Sequence, residues 1–290
     1  MASSPLSIVF FGTSAFAVPS LQTLAQDSRF TVEAVITQPD KPVGRKQEMT
    51  PSPVKNAALS DGLPLHQPDK IREAFSSLHL APPDFLVVVS YGQLLSQEML
   101  DFPRIAPVNL HASLLPRWRG ASPLQHAILA GDAETGVTVQ RMAYELDAGP
   151  ILSQTATRIA PDETTPVLHD RLAAMGAILL RDTILAPLRP VEQPKDGITY
   201  CRKLVRDDGR VDPAALRAED IDRRVRALTP WPGVTMETGG RQLKILASAL
   251  EERPESVAIP CAEGTTLYLL AVQPAGKKPM PGVAWARGRH

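Results

Sequence analysis

The stretch from Val108 to Gly120, VNLHASLLPRWRG, sets an asparagine and a histidine two residues apart, ahead of a turn rich in proline, arginine and glycine. Side chains alternate along an extended chain, so Asn109, His111 and Ser113 share one face while Val108, Leu110 and Ala112 fill the other. An amide N–H can donate to an oxygen on which negative charge develops, and an imidazole carries protons near neutral pH. Further on, ELDAGP places Asp147 in a turn just before Ala148, Gly149 and Pro150. A carboxylate there completes the set that acyl transfer to an amine requires: an oxyanion donor, a proton carrier and a group to orient the carrier. Each residue also has a plainer reading. A histidine can sit in a core against a backbone carbonyl, and a turn aspartate often folds back on its own backbone as an Asx-turn. Spacing alone does not bring the three together.

The elements that would position them follow from apolar periodicity. LSIVFFG (Leu6 to Gly12) ends in glycine and is followed by FAVPSLQTLAQ with helical spacing, the first strand and helix of an open α/β sheet. FTVEAVIT, PDFLVVVS (Pro83 to Ser90) and APVNLHAS (Ala106 to Ser113) read as further strands, the second of them apolar throughout as a strand covered on both faces would be. TGVTVQRM and ILSQTATRI are strands on either side of the ELDAGP turn, and TPVLHDRLAAMGAILLRDTI is a long helix. In such sheets ligands bind at the carboxyl ends of the strands, where the LLPRWRG turn lies.

At 290 residues the chain is long enough for two domains, since single cores tend to split above roughly 250 residues. RPVEQPKDGITYCRK has the proline and charge content of a linker, which divides the chain into a first domain over residues 1–189, a linker over 190–204 and a second domain over 205–290. The second has one helical stretch, RAEDIDRRVRALT, and then short β-like pieces, as a small β-barrel or sandwich would. Lys plus Arg and Asp plus Glu both number 31, so no net charge draws a polyanion and any contact with nucleic acid rests on local patches. Cys201 and Cys261 read as reduced thiols of a cytoplasmic protein, and no apolar run approaches the roughly 20 residues that span a bilayer.

NLHASLLPRWRGASPLQHAILAGD followed by TGVTVQRMAYELDAGP resembles the signature of the 10-formyltetrahydrofolate-dependent formyltransferases. With FFGTSAFAVPSL, TPSPVK, VVVSYGQLL, TPWPG and AVQPAGKK, the chain is similar over nearly its whole length to the methionyl-tRNA formyltransferase family. The resemblance implies an α/β fold with a Rossmann-like open sheet formyltransferase domain, followed by a small OB-like β-barrel domain. It implies formyl transfer from 10-formyltetrahydrofolate to the α-amine of methionyl-initiator tRNA, for translation initiation, with no metal, no membrane and a monomer in the cytoplasm. Asn109 would donate to the oxyanion, His111 would carry the proton and Asp147 would hold the imidazole. Folate contacts carry over to Tyr91, Gly92, Gln93 and Leu94, to Ser113, Leu114, Leu115 and Pro116, and to Glu145, Leu146, Ala148 and Gly149. Contacts with tRNA carry over to Phe16, Arg45, Lys46, Lys277 and Lys278.

The chain departs from the family pattern in three places. Gln47 and Glu48 stand where the loop QPDKPVGRKQEMTPSPVK is usually basic, which weakens its phosphate attraction. Ser14 and Ala15 replace the usual Pro and Asp, and EERPES joins ASAL to VAIPC by a shortened route, so the barrel is expected to be reduced or partly open. Two other functions fit less well. An enzyme formylating an amino sugar nucleotide or glycinamide ribotide would share Asn, His and Asp but would not normally carry TPWPG and QPAGKK. A non-catalytic RNA- or folate-binding protein would not need a proton carrier beside an amide donor.

Overall fold

The computed structural model describes residues 4–44 and 46–288. The strands of the first half, in chain order, are β1 (Leu6–Gly12), β2 (Phe30–Ile36), β3 (Lys41–Val43), β4 (Glu48–Thr50), β5 (Leu65–His66), β6 (Phe85–Val89), β7 (Ala106–His111), β8 (Arg119–Gly120), β9 (Glu134–Arg141) and β10 (Ile151–Arg158). They are followed by β11 (Tyr200–Cys201), β12 (Arg210–Val211), β13 (Val234–Thr238), β14 (Arg241–Ala249), β15 (Val257–Pro260), β16 (Thr266–Pro274) and β17 (Met280–Pro281). The chain forms two compact units: one comprises the chain through Gly120, Thr135–Thr157 and His169–Tyr200, the other Ala121–Glu134, Arg158–Leu168 and the chain from Cys201.

The first unit is built on a seven-stranded sheet in the order β10-β9-β7-β6-β1-β2-β5. β1 runs parallel to β2 and β6, β2 to β5, and β6 to β7, whereas β9 lies antiparallel to β7. The chain travels outward through β2 and β5 and then returns to β6 on the far side of β1. Strand order therefore reverses between β1 and β6, which puts the open crevice of the sheet at their carboxyl ends. Every residue of β6 is buried, which explains its unbroken FLVVV run. The long helix Thr165–Leu185 brings Gly176 against the apolar face of β7: a Cβ there would stand 2.7 Å from Leu110 Cδ2. With that face covered, Asn109 and His111 are left on the other one.

Two expectations need revision in detail. The loop after β2 is not wholly irregular, since β3 and β4 pair antiparallel as an exposed hairpin. Residues 190–204, read as a linker, are tied to the first unit at their start, where Val191 and Ile151 exchange backbone hydrogen bonds of 2.9 and 2.7 Å.

In the second unit the sheet runs β12-β13-β14-β16-β15, with β17 also on β16. β13 and β14 form a hairpin across Gly239 and Gly240, both at positive φ as such a turn demands. The helix Ala218–Leu228 buries Ile221, Val225 and Leu228, and its buried Asp222 accepts hydrogen bonds from Ser248 Oγ on β14 and from Arg226 Nε, each 2.8 Å. Among the described residues no pairing joins β12 to β15.

Candidate active site

Asn109 stands at the seam where the sheet changes direction. Val88 is its neighbour on parallel β6 and Gln140 its partner on antiparallel β9. Its Nδ2 donates to Val88 O at 3.1 Å and its Oδ1 accepts from Gln140 Nε2 at 3.3 Å. A carbonyl only accepts and an amide nitrogen only donates, so these two neighbours fix which way the Asn109 amide faces.

His111 lies two residues along the same face, opposite Thr138. Its Nε2 is 2.9 Å from Trp118 O. Because that carbonyl can only accept, Nε2 carries the proton of the neutral ring and Nδ1 carries the lone pair. Nδ1 is 3.7 Å from Asp147 Oδ1, with side-chain exposures of 8 and 11 %. The ring is thus set to take a proton on the side that faces a carboxylate.

Asp147 comes from the turn between β9 and β10. Its φ of 52° lies in the left-handed region, which Asp tolerates better than most residues. Its Oδ2 accepts from Gly120 N at 2.8 Å and its Oδ1 from Gln140 Nε2 at 3.2 Å. The turn is clamped from behind by Gln193, whose Nε2 donates to Asp147 O (2.7 Å) and Gly149 O (2.8 Å) while its Oε1 accepts from Arg119 Nε and Nη2 at 3.1 and 2.7 Å. Gly149 passes so close to β9 that a Cβ would sit 1.9 Å from Arg141 O. Asn109, His111 and Asp147 are therefore brought together, all within the first unit.

Of the residues expected around folate, Tyr91 to Leu94 and Ser113 to Pro116 follow the carboxyl ends of β6 and β7, and Glu145, Leu146, Ala148 and Gly149 lie in the turn after β9. Tyr91 O accepts from Thr13 Oγ1 (2.8 Å) and Gln38 Nε2 (2.7 Å), while its ring is buried against Phe11 and burial pushes its hydroxyl up to about 12. Gly92 is at φ 87°, a value suited to glycine, and Gln93 is tied at both ends, to Ile71 N and Asp69 O. Ser113 Oγ donates to Arg117 O, and Leu115 N donates to Thr138 Oγ1, which shapes the turn through Leu114 and Pro116. Leu94, Glu145 and Leu146 are exposed, and Ala148 is half-buried.

The residues expected to meet tRNA are placed differently from one another. Phe16 is 5 % exposed and packs edge-on against His169, as a core residue does, and its contact with substrate stays an expectation. Its aromatic ring fits either setting, so sequence could not choose. Lys46 is exposed on the hairpin of the first unit, Lys277 and Lys278 are exposed in the turn between β16 and β17, and Arg45 lies outside the described residues. Among the described residues no group of three or more His, Cys, Asp or Glu could hold a metal ion, and no helix is long and apolar enough to cross a membrane.

Sequence reasoning missed Gln140, Arg119 and Gln193. For Gln140 a signal existed, since Thr138 and Gln140 repeat on β9 the polar alternation of Asn109 and His111. For Gln193 there was none, because it sits in a stretch with the composition of a linker.

A family model described as formyl transferase matches residues 6–184, and one described as formyl transferase, C-terminal domain, matches 203–290. The chain is 44% identical to a protein of Halorhodospira halophila named methionyl-tRNA formyltransferase, over 98% of this chain and 96% of that one. It is 42% identical to the protein of the same name from Paracoccus denitrificans, over 98% and 97%. Among solved structures it is similar to an N-formyltransferase from Helicobacter canadensis in complex with folinic acid and dTDP-3-aminofucose, with a TM-score of 0.66 at 18% identity over 91% of this chain and 98% of that one. At that identity the likeness speaks to fold alone.

Proposed function

The chain belongs to the formyl transferase family, and from that premise we infer that it transfers the formyl group of 10-formyltetrahydrofolate to the α-amine of methionyl-initiator tRNA, for translation initiation. The observation that carries the reading is the meeting of Asn109 and His111, on one face of β7, with Asp147 from the turn between β9 and β10, in a chain whose near full-length relatives bear that activity in their names.

The chemistry follows from the residues. A bond forms between the methionine nitrogen and the formyl carbon, the bond from that carbon to the folate nitrogen breaks, and one proton passes from the first nitrogen to the second. Nδ2 of Asn109 has two N–H groups and uses one on Val88 O. The other donates to the formyl oxygen as negative charge develops there, an interaction worth ~3 kcal/mol of barrier. His111, protonated at Nε2 by its bond to Trp118 O, takes the amine's proton at Nδ1. Asp147 holds the resulting imidazolium, which then releases the proton to the departing folate nitrogen. Protons and charge are handled throughout by side chains of this chain, and the reaction needs no metal.

Tyr91 to Leu94, Ser113 to Pro116, and Glu145, Leu146, Ala148 and Gly149 line the folate site in this reading; exposed Leu94 and Leu146 offer apolar surface to a fused ring. Arg45, Lys46, Lys277 and Lys278 meet tRNA phosphates through local charge, since the net charge is zero. Residues 1–189 carry the chemistry, 190–204 connect, and 205–290 bind tRNA. The three catalytic groups come from one chain, which supports a monomer, and Cys201 and Cys261, both buried and read as reduced thiols, suit the cytoplasm. The deciding experiment offers 10-formyltetrahydrofolate with charged initiator tRNA and, separately, with an amino sugar nucleotide. Formylation of the methionine supports the reading, and formylation of the sugar alone overturns it.

A further inference from the structure

Gln140 lies on β9 directly opposite Asn109 and is 2 % exposed. Its Nε2 reaches two oxygens that belong to different members of the site, Asn109 Oδ1 at 3.3 Å and Asp147 Oδ1 at 3.2 Å. Its own Oε1 is buried and has no hydrogen-bond partner among the described residues. The reverse orientation of this amide would turn that oxygen on two acceptors, so the neighbours impose the orientation even though it strands a buried acceptor.

We propose that Gln140 is a positioning residue: it holds the Asn109 amide with its carbonyl turned toward β9 and its N–H groups turned away, and it ties that amide to the carboxylate of Asp147. The proposal rests on the formyl-transfer reading of the site. An asparagine amide is nearly symmetric in shape, and only its neighbours decide which end meets the developing oxyanion. Val88 O enforces one side of that choice and Gln140 Nε2 the other. Without Gln140 the choice rests on a single hydrogen bond, and a fraction of molecules presents the carbonyl, which repels the charge it should stabilise.

Gln140→Leu in the full chain is the test. It is expected to lower kcat roughly tenfold, since small misplacements of a catalytic group cost one to two orders of magnitude. KM for folate and for methionyl-tRNA should stay within about twofold, because neither substrate touches Gln140. The thermal midpoint should move by no more than a few degrees, since removal of the stranded oxygen offsets the partner lost by Asn109 Oδ1 and Asp147 Oδ1. Gln140→Glu, which sets a third oxygen between two acceptors, should cost more kcat than Gln140→Leu. In an Asn109→Ala background, Gln140→Leu should cost much less than in the wild type, because the amide it positions is absent and only its bond to Asp147 remains. A wild-type kcat in Gln140→Leu, a loss confined to KM, or full multiplication of the two effects would overturn the proposal. If the wild-type chain does not formylate methionyl-tRNA, the functional reading fails separately. The positioning claim is then still decided by exchange of the Asn109 side-chain amide protons, read by NMR: faster exchange in Gln140→Leu supports it, and unchanged exchange overturns it.

Discussion

Replacing Asp147 by asparagine removes a charge and keeps a backbone, whereas replacing it by alanine disturbs both. At a φ of 52° asparagine is tolerated much as aspartate is, while alanine adds strain of about 1–2 kcal/mol. Asp147 Oδ1 stands 3.7 Å from His111 Nδ1, with both side chains roughly nine-tenths buried. Once the imidazole has taken the amine's proton, an attraction across such a distance amounts to about 4 kcal/mol at an effective dielectric near 20. Before proton transfer the ring is neutral and the attraction is absent, so the interaction lowers the barrier without tightening substrate binding. About 4 kcal/mol corresponds to roughly 10³ in rate. The asparagine dipole and the retained bond from Gly120 N recover part of it, so Asp147→Asn should lower kcat about 10²- to 10³-fold with KM little changed. Its thermal midpoint should match the wild type, and that of Asp147→Ala should fall by a few degrees in addition to the same loss of kcat. Steady-state formyl transfer and thermal melts of both variants measure this. A kcat for Asp147→Asn within about tenfold of wild type, or a loss seen only in KM, would refute the pairing of this carboxylate with the imidazolium.

Asn109→Ala should lower kcat by at least ~100-fold and also destabilise the fold by about 1–3 kcal/mol, because Val88 O and Gln140 Nε2 each lose one hydrogen bond; denaturant titration alongside turnover separates the two. Gly149→Ala drives a Cβ into Arg141 O and should displace the Asp147 turn, so a fully active variant with an unchanged thermal midpoint would contradict the clamp. Tyr91 keeps its proton up to about 12 when folded and loses it near 10 when unfolded, so its share of stability is complete below pH 10 and drains away as pH rises through about 12. Tyr91→Phe should therefore lose less stability over that interval, by up to roughly 2–3 kcal/mol, which alkaline unfolding curves of the two proteins would reveal. Lysine at both Gln47 and Glu48 should tighten tRNA binding and steepen its salt dependence by roughly one unit of log-log slope for each phosphate newly neutralised, and an unchanged slope would count against the hairpin as a tRNA-binding element.

Much of the scaffold was legible because burial writes a period into the sequence. The apolar runs at β1, β2 and β6, the alternation of β7 and the long helix at Thr165–Leu185 all stand where their patterns put them. The two-residue strands β5, β8, β11, β12 and β17 were not legible, since a period of two needs several residues to show itself. Asn109, His111 and Asp147 could be singled out as types suited to one reaction, and their contact could not be derived from spacing. Phe16 was ambiguous because an aromatic side chain satisfies a core and a nucleobase equally well.

What escaped the sequence at the site shares one physical origin. Periodicity reports which residues of a strand share a face, but it carries no information about the direction of the strand beside it. Here the sheet is parallel from β5 to β7 and turns antiparallel at β9, and that reversal sets Gln140 rather than some other residue opposite Asn109. The turn after β9 starts beside the amino end of β7, where Arg141 faces Val108, and folds back over the sheet so that Asp147 reaches His111. The antiparallel pairing of β7 with β9 and the turn that folds back from it thus bring three residues with suitable chemistry into one site. Gln193, reaching in from the far end of the chain segment that leaves the sheet, then fixes the turn so that the carboxylate stays there.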